Sequence, residues 1–423
     1  MQKLGRIYIK YDLRTILQYG LVILAILQCN TVFFREYGTA HKKIVIILFI
    51  ITLLALFGVS IVESVKRKIN LKPLLVFLLA FIGLLITFLT ISYIRRQYSI
   101  ISVSAMFIPF FLVPSIYIDG YNGQIDEIMQ KYKNTVVILA ILSLIFWGLA
   151  SIGLHPSGTK VVNWGSINSV SSYYSLHYIA QGKISFLGIS NVIRNTGLFV
   201  EAPMYSYVLS TALLVSMFVG KGTENGFSWK TWVLMITIMT TTSSTGVIIL
   251  ILAVFLKLAI LNDRVHFSIK LLLCILLIPV LVLLILHVIN EKVDMNWYSS
   301  SSIRLNDFIA GYAAWKIHPW FGNGFDNYNV LTNNMDYRRI ITNYNTGFST
   351  GFMEILAYGG ILGGMYYLLP SIFLFFKNKK LFVFSLIIFL LFVFTLVNGV
   401  YIYYIFISYF WAVLFIKTNE RGN

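Results

Sequence analysis

The chain has 423 residues, of which 58% are hydrophobic and only 12% are charged, against roughly 25% charged residues in ordinary soluble domains. This composition predicts an all-α polytopic integral membrane protein and excludes a soluble globular domain. The formal net charge of +17 fits cations in the inner loops and an anionic ligand better than nucleic acid, because no basic stripe lies on a soluble segment.

The first apolar stretch is predicted to be a membrane span. No cleavable signal peptide is expected, because basic residues continue to Arg14 and no small-residue cleavage site follows the stretch. Both cysteines, Cys29 and Cys274, lie in or at the edge of apolar stretches. Neither a disulfide framework nor a metal site is therefore indicated.

About twelve apolar stretches could cross a membrane, since a spanning helix needs roughly 20 apolar residues. Their approximate cores are 15–33, 44–62, 73–94, 98–118, 134–154, 198–220, 229–241, 245–261, 270–289, 352–376, 381–397 and 399–416. A run of Thr and Ser at 240–246 interrupts one long apolar stretch. We interpret it as a polar hinge between two short spans, because one helix of that length would overrun the bilayer.

The distribution of lysine and arginine predicts that both termini are cytoplasmic. With this orientation the inner segments hold more than half of the 33 basic residues, as the positive-inside rule requires. The chain is then a single transmembrane domain, 1–423, with long outer loops at 155–196 and 291–351. Long outer loops escape the rule, so the cations in these two loops are available for an anionic ligand.

The first outer loop leads into a span through a motif at 191–203. Proline is tolerated in the first helical turn, so the span is predicted to begin near Glu201 to Pro203, with its N-terminal amides facing outward. Arg194 then lies just above a helix end that favours anions. The alternative is that Arg194 only anchors the span at the lipid headgroups and that Glu201 caps the helix.

The second outer loop is predicted to contain an amphipathic helix at the membrane interface, from Arg304 to His318. Its apolar residues recur at helical spacing and are Leu305, Phe308, Ile309, Tyr312 and Trp315. Arg304 lies in the first turn, where a cation opposes the helix dipole. This position indicates either a separate role for Arg304 or an ordinary interfacial cation.

Four further polar residues in or beside this loop are candidates for substrate binding. Arg338 and Arg339 form a basic pair suited to an anion. His318 has either a structural role or the role of a base near neutral pH. Glu354 lies just inside the next apolar stretch, where a carboxylate is a functional candidate or a helix cap.

Three segments together resemble the O-antigen polymerase and ligase superfamily, which comprises Wzy-type polymerases and lipopolysaccharide O-antigen ligases. Residues 194–203 look like its Arg-x-x-Gly-x-Phe-x-Glu-Pro pattern, with Pro203 displaced by one position. Residues 304–325 look like its arginine, amphipathic helix and Pro-x-x-Gly-x-Gly segment, and residues 352–363 look like its Gly-Ile-x-Gly span.

The resemblance implies a metal-independent glycosyltransferase that needs no cofactor and acts at the outer face of the bacterial cytoplasmic membrane. It would transfer a glycan from one polyprenyl diphosphate carrier to another lipid-linked repeat unit. Arg194 and Arg304 would hold the diphosphate, and Glu201 is the first candidate to activate the acceptor. The implied partners are polyprenyl-diphosphate-linked oligosaccharides, the lipid bilayer, a chain-length regulator and a flippase.

One departure from the family concerns the histidine of the ligases. Counting back from Gly360, the position of that histidine is occupied by Ser349. This difference favours a polymerase over a ligase and leaves the general base open. A lipid-linked oligosaccharide flippase is the alternative from another class, although a flippase would place its charges within the helix bundle rather than in two outer loops.

Overall fold

The computed structural model describes residues 12–95, 105–186, 189–220, 226–260, 300–341, 347–395 and 399–416. These residues are mostly helical. The helices are α1 (Leu13–Gln28), α2 (Val32–Arg35), α3 (His41–Lys66), α4 (Lys72–Ile94), α5 (Ile108–Tyr121), α6 (Glu127–Ser151), α7 (Ala202–Phe218), α8 (Trp229–Thr240), α9 (Ser244–Phe255), α10 (Ser300–Ile317), α11 (Tyr328–Thr332), α12 (Tyr337–Ile341), α13 (Gly351–Lys377), α14 (Lys379–Phe394) and α15 (Tyr401–Phe415). A π-helical turn, Leu256–Ile260, follows α9.

Four of these helices, α3, α4, α6 and α13, are long and apolar enough to cross a membrane. Other apolar helices, including α1, α7 and α15, are shorter. The predicted span at 270–289 lies outside the described residues. The membrane-protein class is therefore supported, while the number of about twelve spans stays a prediction.

The first outer loop departs from the all-α prediction because it contains β-strands. The strands are β1 (Gly158–Trp164), β2 (Ser166–Tyr173), β3 (His177–Ile179), β4 (Ile184–Phe186) and β5 (Ile189–Val192). The first three form an antiparallel sheet in the order β1-β2-β3, and β4 pairs with β5. This loop is rich in β-branched and aromatic residues, which favour a half-buried pleated surface.

The three-stranded sheet packs against α2 and against the segment that precedes α7. Its small core contains Val162 and Tyr178 from the strands and Val32 and Val200 from outside the sheet. The Val32 amide donates to the Leu198 carbonyl at 2.8 Å, so α2 and the segment before α7 are held together. These contacts place α2, β1 and the start of α7 side by side.

Helix α10 packs through small side chains against α13. Ala310 and Ala314 are buried, and a Cβ added at Gly311 would lie 2.6 Å from Met353 Cβ. Three residues of the predicted apolar stripe, Leu305, Ile309 and Tyr312, are instead exposed. Exposure of an apolar stripe suits a helix that faces lipid at the interface.

The Gly-rich segment after α10 docks on a break in α13. Gly360 has φ +62 and ψ −159, which are not helical angles. The Ile361 amide donates to the Pro319 carbonyl at 2.8 Å, and the Asn323 amide donates to the Ala357 carbonyl at 2.9 Å. A Cβ at Gly322 would lie 2.2 Å from the Tyr358 carbonyl carbon, so only glycine allows this close backbone approach.

At the N-terminal end of α1, charged side chains join helices within the bundle. Arg14 is buried and pairs with Glu63 of α3 and, at 2.6 Å, with Asp119 of α5. Gln18 donates to Asp119 at 2.9 Å. Lys131 of α6 donates to Gln18. These groups satisfy one another where water is excluded, which fixes α1, α3, α5 and α6 relative to each other.

Candidate active site

Glu201 lies at the N-cap of α7, but its side chain does not cap the helix. Its backbone is extended, with φ −153 and ψ 148, and it makes no side-chain capping bond. Gln181 Oε1 instead accepts from the Ala202 amide at 2.9 Å. The Glu201 carboxylate accepts from the indole nitrogen of Trp164 at 3.3 Å. The carboxylate is therefore held by the sheet and not by its own helix.

Three arginines from three separate elements act electrostatically on this carboxylate. They are Arg35 of α2, Arg194 before α7 and Arg304 of α10. The Arg35 guanidinium lies over the Trp164 ring at 4.8 Å, and it donates to Asn30 Oδ1 at 2.7 and 2.9 Å. Trp164 thus contacts both Arg35 and Glu201, so the two sides of the site share one aromatic residue.

The Ser/Thr hinge at 240–246 holds the other two arginines. Arg194 Nε donates to Thr242 Oγ1 at 3.1 Å, and Arg304 Nη1 donates to Thr245 Oγ1 at 3.3 Å. Thr242 has φ +54, a left-handed conformation that marks the break between α8 and α9. The hinge therefore brings a cation of the first outer loop beside a cation of the second.

Burial raises the pKa of Glu201, while the Trp164 hydrogen bond and the three arginines act to lower it. Burial is the largest of these effects, so the net pKa lies above the ordinary glutamate value. A carboxylate with a raised pKa is a better general base than an exposed one. The adjoining guanidinium groups offer forked donors suited to phosphate oxygens.

A small polar cavity extends below Arg304 between α7, α9 and α14. Its lining includes Ser206, Ser210, Thr245 and Thr395 as well as Arg304. The Ser206 and Ser210 hydroxyls are buried and have no hydrogen-bond partner among the residues that the structure describes. Because a buried hydroxyl without a partner is unfavourable, these two groups are suited to bind water or a ligand oxygen beneath the arginine.

The basic pair Arg338 and Arg339 is engaged with carboxylates. Arg339 is buried and contacts Asp307 at 2.8 Å, and Arg338 contacts Asp336 at 2.6 Å on the surface. Asp307 Oδ2 also accepts from the Ser349 amide at 2.9 Å and from its hydroxyl at 2.6 Å. Substrate binding by the basic pair stays a prediction, and in this structure Arg339 ties α12 to α10.

The remaining two candidates for substrate binding, His318 and Glu354, differ in their exposure to solvent. His318 is exposed at the end of α10, and partial burial together with Arg95 lowers its pKa. Glu354 is buried in the first turn of α13. Burial, together with the Glu354 and Asp307 carboxylates, raises the pKa of Tyr328 to about 12. The roles of His318 and Glu354 in substrate binding remain predictions.

Sequence reasoning missed Arg35, Trp164 and Asp307. Arg35 follows the first span directly, and its position on the outer side was the available signal. Trp164 carried no signal, because the pairing that brings it to Glu201 joins residues far apart in sequence. Asp307 lies one helical turn after Arg304 in the predicted amphipathic helix, and this position was the available signal.

Within the ranges that the structure describes, no group of three or more His, Cys, Asp or Glu side chains could together hold a metal ion.

Residues 231–368 match the model of a protein family described as O-antigen ligase. The match confirms the resemblance to the O-antigen polymerase and ligase superfamily over this part of the chain. It includes the Ser/Thr hinge, Arg304 and the break in α13, whereas Arg194 and Glu201 precede it. A membrane enzyme of the ligase or polymerase type, resembling glycosyltransferases, is thereby supported. A search of curated proteins gave no match.

Proposed function

We propose that this protein is a polysaccharide polymerase of the bacterial cytoplasmic (inner) membrane. It joins polyprenyl-diphosphate-linked repeat units at the outer face, and both of its termini are cytoplasmic. The product is a capsule, O-antigen or other exopolysaccharide. The observation that carries the proposal is the meeting of Arg194 and Arg304 on one Ser/Thr hinge beside Glu201.

The arginines bind the diphosphate of the donor, the growing glycan on its carrier. Guanidinium groups remain charged and pair with phosphate oxygens. As the bond between the anomeric carbon and the diphosphate oxygen breaks, the electron pair stays with the polyprenyl diphosphate. Arg194 and Arg304 stabilise that developing negative charge, and Arg35 adds a third positive charge near the same place.

Glu201 activates the acceptor, which is a second lipid-linked repeat unit. Its carboxylate accepts the proton of a hydroxyl group on the non-reducing sugar, and the hydroxyl oxygen attacks the anomeric carbon of the donor. One glycosidic bond forms and one glycosyl phosphate bond breaks. The proton then leaves Glu201 for water or for the departing diphosphate. The energy comes from the carrier bond, so the mechanism requires no nucleotide, and in it the arginines supply the positive charge at the leaving group without a metal.

A ligase that transfers finished polymer to another acceptor is the alternative within the same class, and the family description favours it by name. Ser349 stands where the ligases have a histidine. In this chain its hydroxyl donates to the buried Asp307 at 2.6 Å, an arrangement that suits a structural role. This difference supports a polymerase.

The flippase alternative is separated from both enzymes by the phenotype of a deletion strain. Loss of a polymerase leaves surface glycan with one repeat unit. Loss of a flippase leaves no surface glycan, and loss of a ligase leaves polymer on its carrier. A glycan gel together with analysis of carrier-linked material distinguishes these three outcomes.

The role of the arginines is tested by complementing that strain with Arg194→Ala or Arg304→Ala. We expect each variant to lose long chains, because the leaving diphosphate loses a charged hydrogen-bond donor, and removal of one such group typically slows catalysis about 100-fold or more. Arg67→Ala, an exposed arginine at the opposite end of the bundle, is the matched control. Normal chain length with both site variants would refute diphosphate binding by this pair.

A further inference from the structure

A second cavity opens on the outer side, between α2, the start of α3 and the β-sheet. Its volume is about 460 Å³, within the range of about 300–1,000 Å³ typical of small-molecule sites. The lining residues that matter for its chemistry are Phe33, Glu36, His41, Lys160, Ser175 and Tyr178. None of them is used in the mechanism above.

One wall of this cavity is a stacked aromatic pair. The Phe33 and His41 rings lie 4.0 Å apart with an interplanar angle of 15°. Phe33 is 39% exposed, although burial of such a ring would be favourable. Phe33 lines the cavity and is supported by His41, so it offers apolar surface to a ligand there.

The same wall carries the ion pair of Glu36 with Lys160 and, beside it, the His41 imidazole. Glu36 Oε1 contacts Lys160 Nζ at 2.8 Å, and Glu36 Oε2 contacts His41 Nδ1 at 3.1 Å. A purely apolar ligand such as a polyprenyl chain would remove water from these charges without replacing its hydrogen bonds. An anionic ligand would meet the Glu36 carboxylate. A neutral molecule with an apolar face and many hydroxyls, such as a sugar ring, suits the aromatic pair and the polar groups together.

The cavity is close to the proposed site of reaction. Leu198 lines the cavity and is three residues from Glu201, so their Cα atoms are at most about 11 Å apart even in an extended chain. Glu36 lines the cavity, and its neighbour Arg35 stacks on Trp164 beside Glu201. The cavity and the carboxylate therefore lie within the length of a short oligosaccharide.

We propose that this cavity is a carbohydrate subsite, in which Phe33 and Glu36 bind a neutral sugar of the acceptor repeat unit and direct its non-reducing end to Glu201. The inference rests on the proposed function, since it assigns the acceptor to this cavity and leaves the donor diphosphate with the arginines. It makes Phe33 and Glu36 substrate-binding residues of the acceptor.

The test uses the full-length protein in lipid nanodiscs and the repeat-unit oligosaccharide of the same strain, released from its lipid and phosphate. Binding is measured by saturation-transfer difference NMR and titration. We expect Phe33→Ala and Glu36→Gln to bind the oligosaccharide about tenfold more weakly, and Phe33→Trp to retain binding. Tyr37→Ala is the matched control, because Tyr37 is exposed on the same segment but does not line the cavity.

Arg304→Ala separates this inference from the proposed function. It should bind the oligosaccharide normally while polymer formation is lost. Wild-type affinity in both Phe33→Ala and Glu36→Gln would overturn the subsite whatever the arginine variants do, as would displacement of the oligosaccharide by decaprenyl phosphate. Normal polymer in the arginine variants would overturn diphosphate binding by the arginines, and the binding measurement would still decide the chemistry of the cavity. Thermal unfolding of each variant confirms that it is folded.

Discussion

At the scale of single residues, Glu201 has the surroundings of a tuned acid-base group. Burial raises its pKa, while the Trp164 indole and the three arginines favour its charged form. Opposing effects on one carboxylate are common at functional sites, although structural ion pairs also produce them. Here the carboxylate does not cap its helix, so a structural requirement for it is weaker.

The role of Glu201 as a base predicts a defined pH dependence. The base must be deprotonated, so the rate should fall as pH falls through a pKa that lies above the ordinary glutamate value of 4.5. Trp164→Phe removes a hydrogen bond that lowers this pKa and should shift the acidic limb to higher pH. Glu201→Gln should slow polymerisation about 100-fold or more. The measurement is the initial rate against pH with lipid-linked substrate.

Trp320→Phe is the control for the tryptophan variant, because Trp320 is exposed and its indole has no place in the site. An acidic limb that stays in position in Trp164→Phe would contradict the assignment of the titrating group to Glu201. Polymerisation at the wild-type rate in Glu201→Gln would remove Glu201 as the base.

At the scale of elements, a buried ion pair stabilises the packing of the second outer loop. Asp307 of α10 and Arg339 of α12 are both almost fully buried and contact each other at 2.8 Å. Asp307 also accepts two hydrogen bonds from Ser349, just before α13. One carboxylate therefore joins α10, α12 and the entry of α13, and so supports the helix that carries Arg304.

Breaking this pair should destabilise the protein. Arg339→Met leaves the Asp307 carboxylate buried without its partner, which typically costs about 3–5 kcal/mol. Asp307→Asn combined with Arg339→Met should restore much of that loss, since neither charge then remains. The midpoint of thermal unfolding in detergent measures both effects.

Arg338→Met should change stability little, because Arg338 lies on the surface and exposed pairs contribute little. If Arg339→Met abolished polymer formation with no change in the unfolding midpoint, Arg339 would be a substrate-binding residue rather than a structural partner of Asp307. This outcome would support the prediction from the sequence that Arg339 binds substrate.

At the scale of the whole molecule, polar groups are divided between two ends of the bundle. The Arg14 network lies at the start of α1, whereas the site lies beyond the end of the same helix, where Asn30 contacts Arg35. The proposed function requires the end with the site to face outward, because the proposed reaction takes place at the outer face of the cytoplasmic membrane.

Accessibility to a membrane-impermeant maleimide tests this orientation. In a Cys274→Ser background, Ser166→Cys in the exposed β2 strand should react in intact spheroplasts. Arg67→Cys, at the end of α3, should react only after the membrane is permeabilised. Cys29 is buried and serves as the internal control for unreacted thiol. The reverse pattern would contradict the predicted topology and, with it, the assignment of the site to the outer face.

The apolar stretches and the positions of Arg194, Glu201 and Arg304 could be read from the sequence. Span length depends on local hydropathy, and these three residues stand in recognisable motifs. The length of the apolar stretches does not predict the sheet in the first outer loop. Its strands lie in a polar segment, and their side chains alternate between two faces with a period of two residues. Arg339 was predicted to face a substrate, yet its burial against Asp307 depends on how α12 folds back onto α10.

The sequence by itself determined the membrane class and the resemblance to a glycan-transferring superfamily, because hydropathy and short motifs are local properties of the chain. Only the tertiary structure decided which side chains meet. The Ser/Thr hinge joins Arg194 to Arg304, and the sheet brings Trp164 between Arg35 and Glu201. Such contacts depend on long-range packing and hydrogen bonding, whose partners no local pattern specifies.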